Sequence, residues 1–152
     1  TSLLRTILRL QSPTKGLISF FRQGEPVSSL DMGYLPQKNS IDSRFPITVE
    51  EVVASGLMGN TQKGNTKFDS KKEIDEMLDL MGITALRNKP IGVLSGGQLQ
   101  RSLFGRALIS KPEMLILDEP ASYIDRQLGN RMFEILRDLS SNGTTIMMYP
   151  MK

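Results

Sequence analysis

The chain has neither cysteine nor histidine among its 152 residues. Without cysteine there is no disulfide framework, a composition that suits the cytosol. Without either residue a typical zinc site cannot be built, and only hard-ion ligation by carboxylates is left. The commonest general base at neutral pH is missing too, so any base must be a carboxylate. Long apolar runs are also lacking. The longest, such as residues 114–117, fall far short of the roughly 20 residues that span a bilayer. No signal-peptide pattern opens the chain.

What is present fits one compact domain: 39% apolar and 23% charged residues, in a chain long enough to bury a real core. The net charge is +3, but the basic residues are scattered, which argues against a nucleic-acid partner.

TSLLRTILRL places Leu3, Leu4, Ile7 and Leu8 at helical spacing, and Ser12-Pro13-Thr14-Lys15-Gly16 stops the helix. Residues 17–21 and 32–35 read as short strands around a loop containing Gly24-Glu25-Pro26. Thr48 and Glu51 form a capping box, with Ile47 and Val52 spaced as its hydrophobic staple. Val49, Val52, Val53 and Leu57 then make one apolar face. Residues 59–69 are polar and contain glycine, hence a loop. Ser70 and Glu73 repeat the capping pattern ahead of Ile74, Met77, Leu78 and Met81, with Gly82 just past the helix. The nine methionines read as core filling rather than metal ligands.

The richest stretch is 94–125. Ser95 and Gln98 are spaced as a third capping box, and Leu99, Leu103 and Ala107 stripe the helix that follows. As a cap it needs no ligand. Gly96 and Gly97, however, are poor helix formers at about 1 kcal/mol each. What they permit is close approach of backbone N–H groups to an anion at a helix N-terminus. Met114-Leu115-Ile116-Leu117 is apolar on both faces, as a central parallel strand is. Asp118 and Glu119 follow at its C-terminal end, where open α/β sheets bind ligands. Taken alone, such a pair could equally be two solvated acids. Asp125 can cap the next helix, whose face is Leu128, Met132, Ile135, Leu136 and Leu139. Residues 140–143 turn the chain, and 144–149 are β-prone, so a strand–helix–strand unit with parallel strands is expected.

LSGGQLQR (94–101), MLILDEP (114–120) and ASYID (121–125), in that order and spacing, resemble the signature, Walker B strand and D-loop of the ATP-binding cassette (ABC) ATPases. Tyr34-Leu35-Pro36-Gln37 is similar to the family's Q-loop, and residues 42–49 resemble the segment after it in the zinc and manganese branch. The resemblance implies an α/β, P-loop NTPase-like ABC ATPase fold. It further implies a single domain over 1–152, with a helical subdomain at about 47–100 and with the N-terminal strand and phosphate loop missing. Thr1 falls where the last hydroxyl residue of the Walker A loop would be, as a ligand of nucleotide and magnesium.

By the same resemblance Glu119 is the catalytic base, and Gln37 binds magnesium or the attacking water. Asp118 holds the Mg²⁺ of MgATP. Ser95, Gly96, Gly97 and Gln98 grip the γ-phosphate of ATP held by a second protomer, and Asp125 lies at that dimer interface. The implied cofactors are ATP and Mg²⁺. The implied partners are a transmembrane permease and a second copy of the subunit, peripheral on the inner face of the cell membrane. Met151 stands where the family has its switch histidine, and a thioether cannot donate that hydrogen bond. The expected function is the ATPase subunit of an ABC importer of metal ions, with residues 1–152 alone inactive for want of the phosphate loop. The alternatives are a non-catalytic remnant docking on a permease and a soluble ABC ATPase.

Overall fold

The computed structural model describes residues 2–37, 42, 44–58, 67–119 and 126–149, with side-chain surroundings for all of these except 67–69 and 126–128. Thr1, Asp125 and Met151 lie outside the described residues.

The fold is built on β4 (Met114–Asp118). Leu115, Ile116 and Leu117 are all fully buried, the consequence of an apolar run that no alternation divides between core and solvent. Strand β3 (Met32–Leu35) pairs with it in parallel on one side, and β5 (Thr145–Tyr149) in parallel on the other. The expected parallel unit is therefore present. Leu35 lies opposite Leu117 and Asp118 opposite Tyr149, so β4 and β5 end level and β3 ends one residue short of them.

Helix α4 (Gly96–Leu108) packs against β3 and against α2 (Val49–Ser55). Its Leu99, Leu103, Phe104, Ala107 and Leu108 join one core with Val49, Val52 and Val53 of α2. Leu115 and Leu117 of the sheet belong to the same core, as do Met132 and Leu136 of α5 (Arg126–Ser141). Two glycines let backbones meet here. A Cβ on Gly33 of β3 would overlap the carbonyl oxygen of Ala107, and one on Gly56, after α2, would overlap that of Arg106.

Several expectations need correction. Glu25 and Pro26 are not loop. They belong to β2 (Glu25–Val27), which pairs antiparallel with β1 (Phe20–Arg22). The turn is only Gln23-Gly24, both left-handed at φ 52° and 87°, as a two-residue hairpin with matching twist requires. Proline is tolerated because an edge strand need not use its donor. The first helix, α1 (Ser2–Ile7), stops short of Leu10, with Arg9 at φ 58°. Helix α3 (Lys67–Leu80) starts three residues before the expected cap, so Ser70 lies within the helix and 67–69 are not loop. The Ser70–Glu73 spacing is simply one helical turn of polar residues.

The end of α3 is as expected. Gly82 takes φ 64°, the Gly82 N–H donates to Asp79 O at 2.9 Å and that of Ile83 to Leu78 O at 3.0 Å, which is a Schellman closure. Gly143 ends α5 in the same way at φ 96°, with Thr144 N–H donating to Leu139 O at 3.0 Å.

Replacing Gly33 by alanine drives a methyl into a helix carbonyl that the core holds in place. The expected loss is about 3 kcal/mol of unfolding free energy, measured by urea denaturation of the full-length chain.

Candidate functional site

Because the register sets Leu35 level with Leu117, Gln37, two residues past β3, reaches Glu119, one residue past β4. Gln37 Nε2 donates to Glu119 Oε2 at 2.8 Å. Glu119 is held at φ 52°, a left-handed conformation that costs a non-glycine residue roughly 1–2 kcal/mol. Its N–H donates to Tyr149 O at 3.0 Å, so β5 helps to hold it there.

Asp118 is 4% exposed, an unusual place for a carboxylate without a partner. The partner is Tyr34, whose hydroxyl donates to Asp118 Oδ2 at 3.2 Å. Burial, then the neighbouring Asp118 charge and hydrogen bond, push the Tyr34 phenol up to about 12. It stays a donor at neutral pH and engages Oδ2 of Asp118. Sequence reasoning missed this tyrosine. In the register Tyr34 stands opposite Ile116, two residues from Asp118 and on the same face, so the contact follows once the pairing is known.

Among the described residues no group of three or more Asp, Glu, His or Cys converges on a metal position. The donors present are one buried carboxylate, a second carboxylate and an amide oxygen. That set fits Mg²⁺, which prefers few protein carboxylates and completes its octahedron with water and substrate phosphates.

The second half of the expected site lies on α4. Ser95 Oγ accepts from the Gln98 N–H at 3.3 Å while the Gln98 side chain accepts from the Ser95 N–H at 3.0 Å, closing the expected capping box. A Cβ added at Gly97 would meet nothing within 4 Å. Crowding within this chain therefore does not account for glycine there, whereas at Gly33 it does. The strand-end cluster is thus assembled, the cap is formed, and Thr1 and Asp125 lie outside the described residues.

Solved structures share this architecture. A dimeric ATP-binding cassette in a post-hydrolysis state, bound to ADP and phosphate, superposes with a TM-score of 0.78 over 99% of this chain and 69% of its own, at 22% identity. An ABC transporter of metal-chelate type, in an inward-facing conformation, does so with a TM-score of 0.71 over 99% of this chain and 57% of its own, at 26% identity. The class is therefore that of the P-loop NTPase-like ABC cassettes. Residues 1–122 match the ABC transporter family, and the chain belongs to that family. The zinc uptake system ATP-binding protein ZurA of Listeria monocytogenes is 39% identical over 146 residues, 92% of this chain and 56% of its own length. The chain thus spans about half the length of this curated relative. Among the described residues no helix is long and apolar enough to cross a membrane.

The raised Tyr34 phenol gives a test of the Asp118 contact. The folded state favours the protonated phenol, so its contribution is complete below the unfolded value near 10 and is lost as pH rises through about 12. Urea denaturation across that window should show Tyr34→Phe losing less stability with rising pH than the parent chain.

Proposed function

We propose that this chain belongs to the ATP-hydrolysing subunit of an ABC importer of metal ions, working as a dimer on a membrane permease at the inner face of the cell membrane. The observation that carries the reading is the Gln37–Glu119 hydrogen bond of 2.8 Å beside the buried Asp118. It unites the one base class open to a chain without histidine with the amide and carboxylate that MgATP requires. The cargo is read from the relatives, whose names include zinc uptake and chelated iron transport systems.

In this reading residues 1–152 form one cassette domain, with a helical subdomain at about 47–100 that holds α2, α3 and the start of α4. Asp118 and Gln37, with Thr1, hold the magnesium of MgATP. Bound Mg²⁺ supplies charge neutralisation on the phosphates during transfer. Gln37 orients the attacking water, and Glu119 accepts its proton as the oxygen adds to the γ-phosphorus and the bond from that phosphorus to the β–γ bridging oxygen breaks, with ADP as the leaving group. The left-handed backbone at Glu119, tied to Tyr149, fixes where that carboxylate stands. The Ser95 hydroxyl and the N–H groups of Gly96, Gly97 and Gln98 bind the γ-phosphate of ATP held by the second copy, with Asp125 at the same interface. Each copy completes the other's site.

The permease docks beside α2. Phe45 is 63% exposed and Met58 is 85% exposed, at the two ends of the segment that carries the helix, and Pro46 adds to this apolar surface.

Two results test the reading, both in a cassette that carries these residues together with a phosphate-binding loop. Glu119→Gln should bind ATP as the parent does but turn over about 10²–10⁴-fold more slowly, measured by phosphate release. An unchanged rate would show that another group is the base. Phe45→Asp should keep the circular dichroism and melting temperature of the parent and lose co-purification with the permease. Undiminished recovery would remove this surface from the interface.

A further inference from the structure

Outside the strand ends, one ionic cluster is built with more care than stability requires. Arg87 follows the short 3₁₀ turn Thr84–Leu86 and stands between α2 and α3. Its Nε and Nη2 donate to the two carboxylate oxygens of Glu50 at 3.0 Å each, and Nη2 also donates to Asp75 Oδ1 at 2.7 Å. Glu50 is in the first turn of α2 and Asp75 is in α3. The three side chains are 29%, 33% and 46% exposed. Ion pairs this open add little to stability, so what is gained by ordering these three side chains is geometry. Only a guanidinium fork can grip one carboxylate with two bonds and reach a second.

The backbone around Arg87 shows what is held. The Arg87 carbonyl accepts the Glu50 N–H at 3.0 Å, the Lys89 carbonyl accepts the Val49 N–H at 3.0 Å, and the Ile91 N–H donates to Ile47 O at 2.9 Å. Thr48 and Pro90 form a bridge between them. The strap 87–91 thus satisfies the first two donors of α2, which no helix satisfies by itself, and Thr48 Oγ1 takes the third at 3.3 Å. After one more 3₁₀ turn, Ile91–Val93, the strap delivers Ser95, the N-cap of the glycine helix. Phe45 lies two residues before Ile47, at the other end of the same lacing.

We propose that Arg87 is a positioning residue that makes the start of α2, α3 and the strap into the Ser95 cap move as one body. Permease docking at Phe45 is thereby transmitted to the glycine helix. The transmission rests on the function proposed above; the clamp does not.

The test uses a cassette that carries these residues together with a phosphate-binding loop, with Arg87→Gln, assayed for ATP turnover alone and in proteoliposomes holding the permease that co-purifies with it. Basal turnover should be unchanged, while stimulation by the permease falls about five-fold or more, the lower range of a site–site coupling. Arg87→Lys keeps the charge but cannot span both acids, and should also lose stimulation; it serves if the glutamine variant does not fold. Equal loss of basal and stimulated turnover, or stimulation like the parent's, would overturn the proposal. The clamp is read separately by amide exchange without nucleotide or permease. Val49, Glu50 and Ile91 should exchange faster in the variant, and unchanged protection would refute the clamp. A parent cassette, phosphate-binding loop included, that shows no ATP turnover would instead count against the proposed function.

Discussion

The pairing of β4 with a parallel neighbour on each side is the constraint on which the rest depends. Its three central residues are apolar on both faces, so the strand can lie only in the middle of a covered sheet. Parallel pairing aligns strand ends instead of joining them by tight turns, and the register sets Leu35, Leu117 and Met148 level. Everything chemical at this edge follows from that alignment. Gln37 overhangs β3 by two residues, Glu119 overhangs β4 by one, and the two meet at 2.8 Å. A shift of one residue in β3 would move Tyr34 to the opposite face and take its hydroxyl away from Asp118.

Much of this was legible in the residues themselves. The Thr48–Glu51 and Ser95–Gln98 capping boxes formed as spaced, because a side chain three residues from the cap meets local backbone donors whatever the tertiary fold. Gly82 and the apolar strand at 114–117 were legible for the same local reason. The failures have physical causes too. Ser70 and Glu73 have the spacing of a capping box, but that spacing is also one turn of any helix, and α3 continues upstream of it. Glu25-Pro26 reads as a breaker until a partner strand is known to run along one side only. The Tyr34–Asp118 bond was out of reach in principle, since it depends on a register between residues 84 positions apart.

The glycines sort by what surrounds them. Gly33 and Gly56 are required by this chain alone, because α4 carbonyls occupy the space where a side chain would begin. Gly97 has open space beside it and sits at a helix position where glycine costs about 1 kcal/mol relative to alanine. That contrast separates a glycine that packing requires from one that it does not. On the proposed reading, the open side of Gly97 is where backbone donors at a helix N-terminus meet the phosphate held by a second copy.

The two halves of the proposed site are therefore held differently. The strand-end half is fixed by burial, with Asp118 and its neighbours Leu115 to Leu117 sealed from water, and it can shift only if the core shifts. The glycine-helix half shares that core through Leu99, Leu103 and Phe104 of α4, but its cap also depends on the strap 87–94, which two backbone hydrogen bonds tie to α2, a third ties to Ile47 just before it, and Arg87 ties to Glu50 and Asp75. Ties of that kind open at lower free energy than a packed core does. A site with one edge wholly in the core and a cap laced on partly by exposed bonds suits chemistry that runs only when the cap is brought to its target. On the proposed reading the target is nucleotide bound by a second copy, and the strand edge of each copy waits for the other's cap.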